Sequence, residues 1–571
     1  MPAGVYRMKT VLTTLNAKYI HTSLALRFLY VANKNNFDIV FKEYTIKEDV
    51  EKIAAEILVA GYDVVGLSVY IWNVDRIRHL VNILKQNNPQ LIIVLGGPEV
   101  MYEPGFFLRE WPADFIINGE GEFVLGELLY ALENSLGTDK INGISSANNI
   151  YKGTVRADLT RLVKLPSPYI LEEDKETIAQ RLVYFETSRG CPYQCQYCLS
   201  SLERGVRYYP KEYIIENLSY LIINGARQIK FLDRTFNLNK EHTRMIFDFL
   251  IRNYRPGLVC QFEIYADLLD DEMINYLNDN LPSGFFRFEI GIQSTYEPTN
   301  MAVKRKQDFD LLARNIKKLM DGGKVDLHLD LIAGLPYETF GRFMKSFNDV
   351  FGLGAKEVQL GFLKMLRGTR LRDNAADYGY SYSNEAPYEI KYNADISVDE
   401  LSRIHNAEHA LEKYWNSGRF TLTMNEVFRS YYNGRYFEFF DELGQFYESN
   451  SWAHHGYQLE DLFRYLHQFL LSRGIQMFDL LRADYYNNFK IRPNGFWEDR
   501  LDKKTRKQLL YTIGQDKDFL SSNKLTRKII EKQTALDIIS EGKYLLTIFL
   551  AEKDGCVERR TLVYKIIDGQ S

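Results

Sequence analysis

Cys191, Cys195 and Cys198 stand close together in SRGCPYQCQYCLSS, and this C-x3-C-x2-C spacing is the strongest chemical signal in the chain. Three thiolates from one tight loop can each hold an iron of a cubane cluster. Since a cluster normally takes four ligands, one iron then stays open to a substrate or cofactor. A structural zinc site would need a fourth protein ligand, and no His or Cys lies nearby at the usual spacing. With only 5 cysteines in 571 residues a disulfide framework is excluded, so the cluster points to metal or redox chemistry in a reducing compartment. Cys260, in a strand context, and Cys556, near a hairpin turn, read as buried or incidental thiols.

A loop that presents three sulfurs needs a rigid support. VYFETS, directly before it, and then IKFLDRTF, QFEIYA, FFRFEIGIQS, DLHLDLIAGL and EVQLGFLKML read as six strands, with helical stretches such as KEYIIENLSYLIING between them. Six βα units close most naturally as a partial (β/α)6 TIM-type barrel with its functional groups at the strand carboxyl ends. Upstream, KTVLTTL, DIVFKEYTI, VVGLSV, LIIVLGG and FIINGEG alternate with amphipathic helices, which predicts a doubly wound, Rossmann-like α/β domain of parallel strands. The expected division is residues 1–140 for that domain, 141–180 for a connector rich in turn residues, 181–395 for the barrel and 396–571 for a mostly α-helical domain. The last domain is expected to end in a β-hairpin turning at Asp554-Gly555.

The cysteine spacing, with Tyr197 before the third cysteine, resembles the signature of the radical S-adenosylmethionine (SAM) superfamily, and later segments extend the likeness over roughly residues 183–372. GVRYYPKEYIIENL resembles the segment after the cluster in cobalamin-dependent members, with Gly205, Arg207 and Pro210 at matching places. FLDRTFN, EIGIQS, DLIAGLPYET and FLKMLRGT resemble the motifs of the second, fourth, fifth and sixth strands. The resemblance implies a 4Fe-4S cluster on the three cysteines and SAM beside it, contacted by Tyr197, Asp233, Glu263, Gln293, Ser294, Ile332 and Leu363. Two departures leave the partner of the SAM carboxylate open: no Gly-Gly-Glu on the second strand, and FEIYAD on the third where an Arg is common.

The leading domain resembles the cobalamin-binding domain of the same enzymes through VGLSVYIWN, VLGGPEV and INGEGE. That likeness implies cobalamin contacts from Ser68, Asn73, Gly96, Gly97, Pro98, Glu99, Gly119 and Glu120, the glycines permitting close approach of a large planar ligand. NAKYIHTS lacks the Asp and Gly of a D-x-H-x-x-G cobalt-ligand motif, so His21 reads as a polar contact and Tyr70 to Asn73 as the candidate lower-face segment. Methylthiotransferases also place an α/β domain before such a barrel, but they carry three further cysteines there and this chain has none before Cys191. In the tail, His405 and His409 share a helix face without H-E-x-x-H order, and His454 and His455 follow. The tail resembles an uncharacterised domain found on some cobalamin-binding radical SAM proteins.

Charge sets limits on partners. Lys plus Arg number 71 and Asp plus Glu 75, a formal net charge of -4, so there is no strong nucleic-acid signal. No stretch approaches the ~20 apolar residues of a transmembrane segment, and the start has no signal peptide, so a cytoplasmic protein is expected. The implied activity is reductive cleavage of SAM to a 5′-deoxyadenosyl radical, with methylation of an unactivated carbon on a small-molecule, lipid or peptide substrate. Radical rearrangement or cyclisation without methyl transfer, a methylthiotransferase-like enzyme, and a redox or cobalamin sensor without catalysis are the alternatives. An electron donor such as flavodoxin or ferredoxin is the implied protein partner.

Overall fold

The structure, a computed structural model, describes residues 7–203, 205–452, 456–489, 501–540, 542–550 and 559–565. These form two units, residues 1–401 and 402–571.

The first sheet of the leading unit runs β2-β1-β3-β4-β5-β6, with β1 Thr10–Asn16, β2 Ile39–Thr45, β3 Val64–Ser68, β4 Ile92–Gly96, β5 Phe115–Ile117 and β6 Ile144–Ser146. β1 is buried along its whole length because helices cover both faces of a parallel sheet. Successive residues of β3 alternate between two cores. Val65 and Leu67 pack with Ile53, Ile77 and Leu80, and Val64 packs with Leu26, Leu125 and Leu128. Ser23 and Asp49 cap the helices that carry Leu26 and Ile53 by accepting bonds from first-turn amides. The doubly wound expectation therefore holds, with one correction: β6 pairs antiparallel with β5, although it lies in the segment read as a connector. Three residues bracketed by turns are too short to show period-2 alternation in sequence.

The second sheet, order β14-β13-β12-β11-β10-β7, is parallel throughout: β7 Leu182–Phe185, β10 Gln228–Phe231, β11 Val259–Ile264, β12 Phe286–Gln293, β13 Asp326–Ala333 and β14 Glu357–Phe362. This is the six-stranded partial barrel. Along β12, Phe286, Phe288, Ile290 and Ile292 are fully buried, and Glu289, Gly291 and Gln293 between them face the interior cavity. A two-residue ladder, β8 Ser188–Arg189 with β9 Arg207–Tyr208, closes the neck of the cysteine loop.

The second unit is mainly helical, with an aromatic core in which Phe428, Phe439 and Phe469 meet edge to face. It ends in an antiparallel sheet of Thr534–Ser540, Lys543–Phe549 and Arg559–Lys565. The expected pair of strands is thus three, because TALDIIS adds to the edge of Lys543–Phe549. Asp554-Gly555, Cys556, His454 and His455 lie outside the described residues. Among the described residues no helix is long and apolar enough to cross a membrane.

Candidate active site

The cysteine loop leaves β8 through Gly190, at φ +99°, where a Cβ would sit 2.1 Å from the Gly205 carbonyl oxygen. Only glycine lets the two sides of the neck approach so closely. Beyond it, the Gln196 N–H donates to the Val303 carbonyl at 2.9 Å and the Gln196 carbonyl accepts from Leu371 N–H at 3.1 Å, tying the loop to two segments of the barrel rim. Cys191 and Cys195 are buried, Cys198 is half-buried, and all three line one cavity of about 280 Å³ at the strand carboxyl ends. Burial pushes the Cys191 thiol up, so its thiolate needs a cation beside it. Three cysteines lining one cavity, with no fourth cysteine among its lining residues, fit a cluster with an open iron.

Tyr197, Glu263 and Gln293 line this cavity with the cysteines. Gln293 has φ +69° at a β12 bulge and a buried amide oxygen without a hydrogen-bond partner. A side chain that is neither glycine nor hydrogen-bonded in such a conformation is strained in a way that functional sites retain. The other expected SAM residues lie elsewhere. Asp233, 2% exposed, accepts from Thr187 N–H (3.0 Å), Thr187 Oγ1 (2.6 Å) and Ser188 Oγ (2.5 Å), pinning the connection from β7 to β8, and is not among the residues lining the cavity. Burial raises its carboxyl to about 6 against these bonds. Ser294 is fully buried and donates to Glu338 at 2.6 Å. Ile332 is half-buried on β13, outside the cavity lining. Leu363 is buried, its N–H bonded to the Ala333 carbonyl and its carbonyl to Ile390 N–H.

Arg305 was not legible as a site residue. Its guanidinium is buried beside the cysteines, donating to Tyr265 OH (2.8 Å), Tyr197 OH (3.4 Å), Gln307 Oε1 (3.2 Å) and the Gly291 carbonyl, with Nη1 4.0 Å from Cys195 Sγ. In sequence it is one of three neighbouring cations, and Lys304 and Lys306 on either side are exposed. Tyr193 and Tyr265, stacked at 4.2 Å, add an aromatic wall.

In the Rossmann-like domain the strand ends also redistribute the expected roles. Asn73 is buried and fully engaged: it donates to Thr14 Oγ1, Leu15 O and Ser68 O at 3.1–3.2 Å and accepts from Tyr70 N–H at 2.8 Å. Ser68 is buried at the end of β3, opposite Gly96. Gly97 and Gly119 are demanded by the protein itself, since a Cβ would lie 2.6 Å from Val69 O and 2.3 Å from Val155 O. At Gly96 the nearest atom is Ile117 Cβ at 3.9 Å, which leaves room over it. Pro98 is half-buried, and Glu99 is buried against Tyr388 OH and Arg367. Glu120 pairs with arginines at the neck of the cysteine loop. Trp72, 48% exposed, stacks on Tyr70 at 4.4 Å, so this loop offers an aromatic face at the strand ends. His21 bonds Tyr184 OH through Nδ1 at 2.9 Å, and burial lowers its basicity, in keeping with a polar contact.

Residues 10–129 match the B12 binding domain, 185–350 the radical SAM superfamily and 376–546 a protein family of unknown function, DUF4080. An uncharacterized methyltransferase of Pyrococcus horikoshii is 26% identical over 65% of this chain and 78% of its own. The cobalamin-dependent radical SAM methyltransferase TokK of Streptomyces tokunonensis is 26% identical over 53% of this chain, which spans 47% of that relative's length. The cobalamin-dependent SAM radical enzyme OxsB, solved with aqua-cobalamin, shares the fold at TM-score 0.61 and 15% identity, over 86% of this chain and 82% of that one. The chain is an enzyme with an N-terminal B12-binding domain followed by a radical SAM domain. SAM and cobalamin are accordingly its cofactors.

Proposed function

We propose that this enzyme holds a 4Fe-4S cluster on Cys191, Cys195 and Cys198, binds SAM in the adjoining cavity, and methylates an unactivated carbon of a small-molecule, lipid or peptide substrate with cobalamin as methyl carrier. When bound, the cluster supplies an electron for cleavage of SAM to a 5′-deoxyadenosyl radical, and the corrinoid supplies the methyl group. The carrying observation is the common cavity of the three cysteines, Arg305, Gln293 and Glu263.

The chain's residues have separable tasks in this reading. Arg305, held by the Gly291 carbonyl and Tyr265, presents a fixed cation suited to the SAM carboxylate. Glu263, whose carboxyl burial raises and Arg234 lowers, offers an acceptor for an ammonium or ribose hydroxyl. Gln293 turns its unpartnered amide oxygen to the same ligand. Tyr193 and Tyr265 wall the cavity and keep water from a reactive carbon radical. In the leading domain, the space over Gly96 and the face of Trp72 form the seat for the corrinoid. Relatives named as methyltransferases support the choice of methyl transfer.

Anaerobic reconstitution with iron, sulfide, SAM and a reductant is expected to yield 5′-deoxyadenosine; flavodoxin or ferredoxin should replace the chemical reductant. No 5′-deoxyadenosine from fully cluster-loaded protein would refute the radical reading. A corrinoid spectrum in anaerobically purified protein tests the second cofactor, and metabolite comparison of a deletion strain identifies the substrate.

A further inference from the structure

The neck of the cysteine loop places like charges face to face. Arg189 on β8 and Arg207 on β9 are directly paired across a ladder only two residues long on each side. Like charges directly opposite destabilise a strand pair, and these are largely withdrawn from water, with side chains 12% and 27% exposed. So short a ladder has few backbone bonds with which to resist them.

Much of the compensating charge comes from the other domain. Glu120, in the G-E-G-E turn after β5, reaches both arginines: its Oε2 is 3.1 Å from Arg189 Nη1 and 3.3 Å from Arg207 Nη1, and its Oε1 accepts from Arg207 Nη2. Ala157 N–H donates to the same carboxylate at 2.7 Å, and the Glu120 N–H donates to the Val155 carbonyl at 3.0 Å, so its position is set by the segment that follows β6. Arg189 has two more carboxylates, Glu122 at 2.8 Å and Glu186 at 2.7 Å. Arg207's further bond goes to a neutral group, the Ala157 carbonyl, at 2.7 Å. Removing Glu120 therefore leaves Arg207 facing Arg189 without the carboxylate that contacts both.

We infer that Glu120 is a positioning residue for the iron-sulfur site: the B12-binding domain clamps the neck of the cysteine loop by neutralising two facing arginines. The inference rests on the cluster assignment above and assigns Glu120 to the loop instead of to the corrinoid. It also means that the β5 turn, at the corrinoid edge of its sheet, and the cysteine loop are held by one carboxylate.

The test is Glu120→Gln, which keeps the shape and removes the charge, alone and combined with Arg207→Gln, which removes one of the facing cations. In the reconstituted full chain, an iron chelator should strip the cluster of Glu120→Gln about tenfold faster than that of the wild type, as expected if opening of the loop is eased by loss of one charge-assisted hydrogen bond. The double variant should return close to the wild-type rate, a rescue that a merely structural role for Glu120 does not provide. Chymotrypsin cleavage at Tyr193 or Tyr197, which needs no metal, should follow the same order. Wild-type stripping and cleavage rates in Glu120→Gln, or a double variant as impaired as the single or unable to fold, would overturn the inference. A wild-type chain that holds no cluster would instead sink the cluster assignment, and the cleavage rates would still decide the clamp.

Discussion

Gly96 and Gly97 are adjacent and chemically identical, yet the structure predicts opposite consequences for replacing them with alanine. At Gly97, φ +103° lies outside the conformations an alanine adopts readily, and the new Cβ would be 2.6 Å from Val69 O and 3.1 Å from Val69 N. An ordinary contact begins near 3.4 Å, so the loop must open by 3.4 - 2.6 = 0.8 Å, against a Val69 N–H that already bonds the Gly96 carbonyl at 2.8 Å. Backbone strain and overpacking of this kind cost about 3 kcal/mol together, or about 10 °C in the melting of a domain of this size. At Gly96 the added methyl meets nothing nearer than 3.9 Å, so Gly96→Ala should melt as the wild type does. If the corrinoid lies over Gly96, that variant should retain much less of it. The assay is anaerobic scanning calorimetry of both variants beside the corrinoid absorbance left after gel filtration. A Gly97→Ala protein melting with the wild type would refute the packing argument, and a Gly96→Ala protein with full corrinoid would remove Gly96 from the binding seat.

Three further outcomes follow from the same geometry. Replacing any of Cys191, Cys195 or Cys198 with serine should abolish 5′-deoxyadenosine and lower iron per chain, with corrinoid binding retained, since the cysteine loop and the proposed corrinoid seat at Gly96 belong to different domains. Arg305→Met should raise KM for SAM by at least about tenfold, as expected for loss of a charge-assisted bond; an unchanged KM removes it from the SAM site. Glu338, fully buried between Ser294 and Ser346, has its carboxyl raised to about 7 by burial. The native state therefore holds a proton that the unfolded chain releases. Its contribution is complete below pH ~4.5 and is lost as pH rises to about 7, a difference of ~3 kcal/mol. Glu338→Gln should flatten the melting temperature across that range; an unaltered pH profile would show that the carboxyl is not protonated in the fold.

Much of the architecture was legible because its signals are local. Alternating strands and helices announced both α/β layers, and the C-x3-C-x2-C run marked the reactive loop at a strand carboxyl end. β6 escaped notice because three residues carry no period, and the third strand of the terminal sheet because TALDIIS is recognised as an edge only when its partner is in place. Motif matching brought Tyr197, Glu263 and Gln293 to the cavity, whereas Asp233, Asn73, Gly97, Gly119 and Glu120 are engaged within the protein. In each of those a polar group or a missing Cβ serves contact within the protein, and sequence does not distinguish that need from contact with a ligand.

The sequence by itself determined the chemistry on offer: three thiols in one loop, strands to hold them, glycines at strand ends, and a chain too evenly charged for a nucleic-acid footprint. Only the tertiary structure decided which neighbour of which cation turns inward. Lys304, Arg305 and Lys306 are equivalent as a string, yet Arg305 alone is buried beside Cys195, because the turn after the short helix Glu297–Ala302 points that one position at the cavity. Likewise Arg189, Arg207 and Glu120 are distant in sequence and acquire meaning together only when two domains bring opposite charges to the neck of one loop. Electrostatic pairing depends on distance and burial, and both exist only after folding.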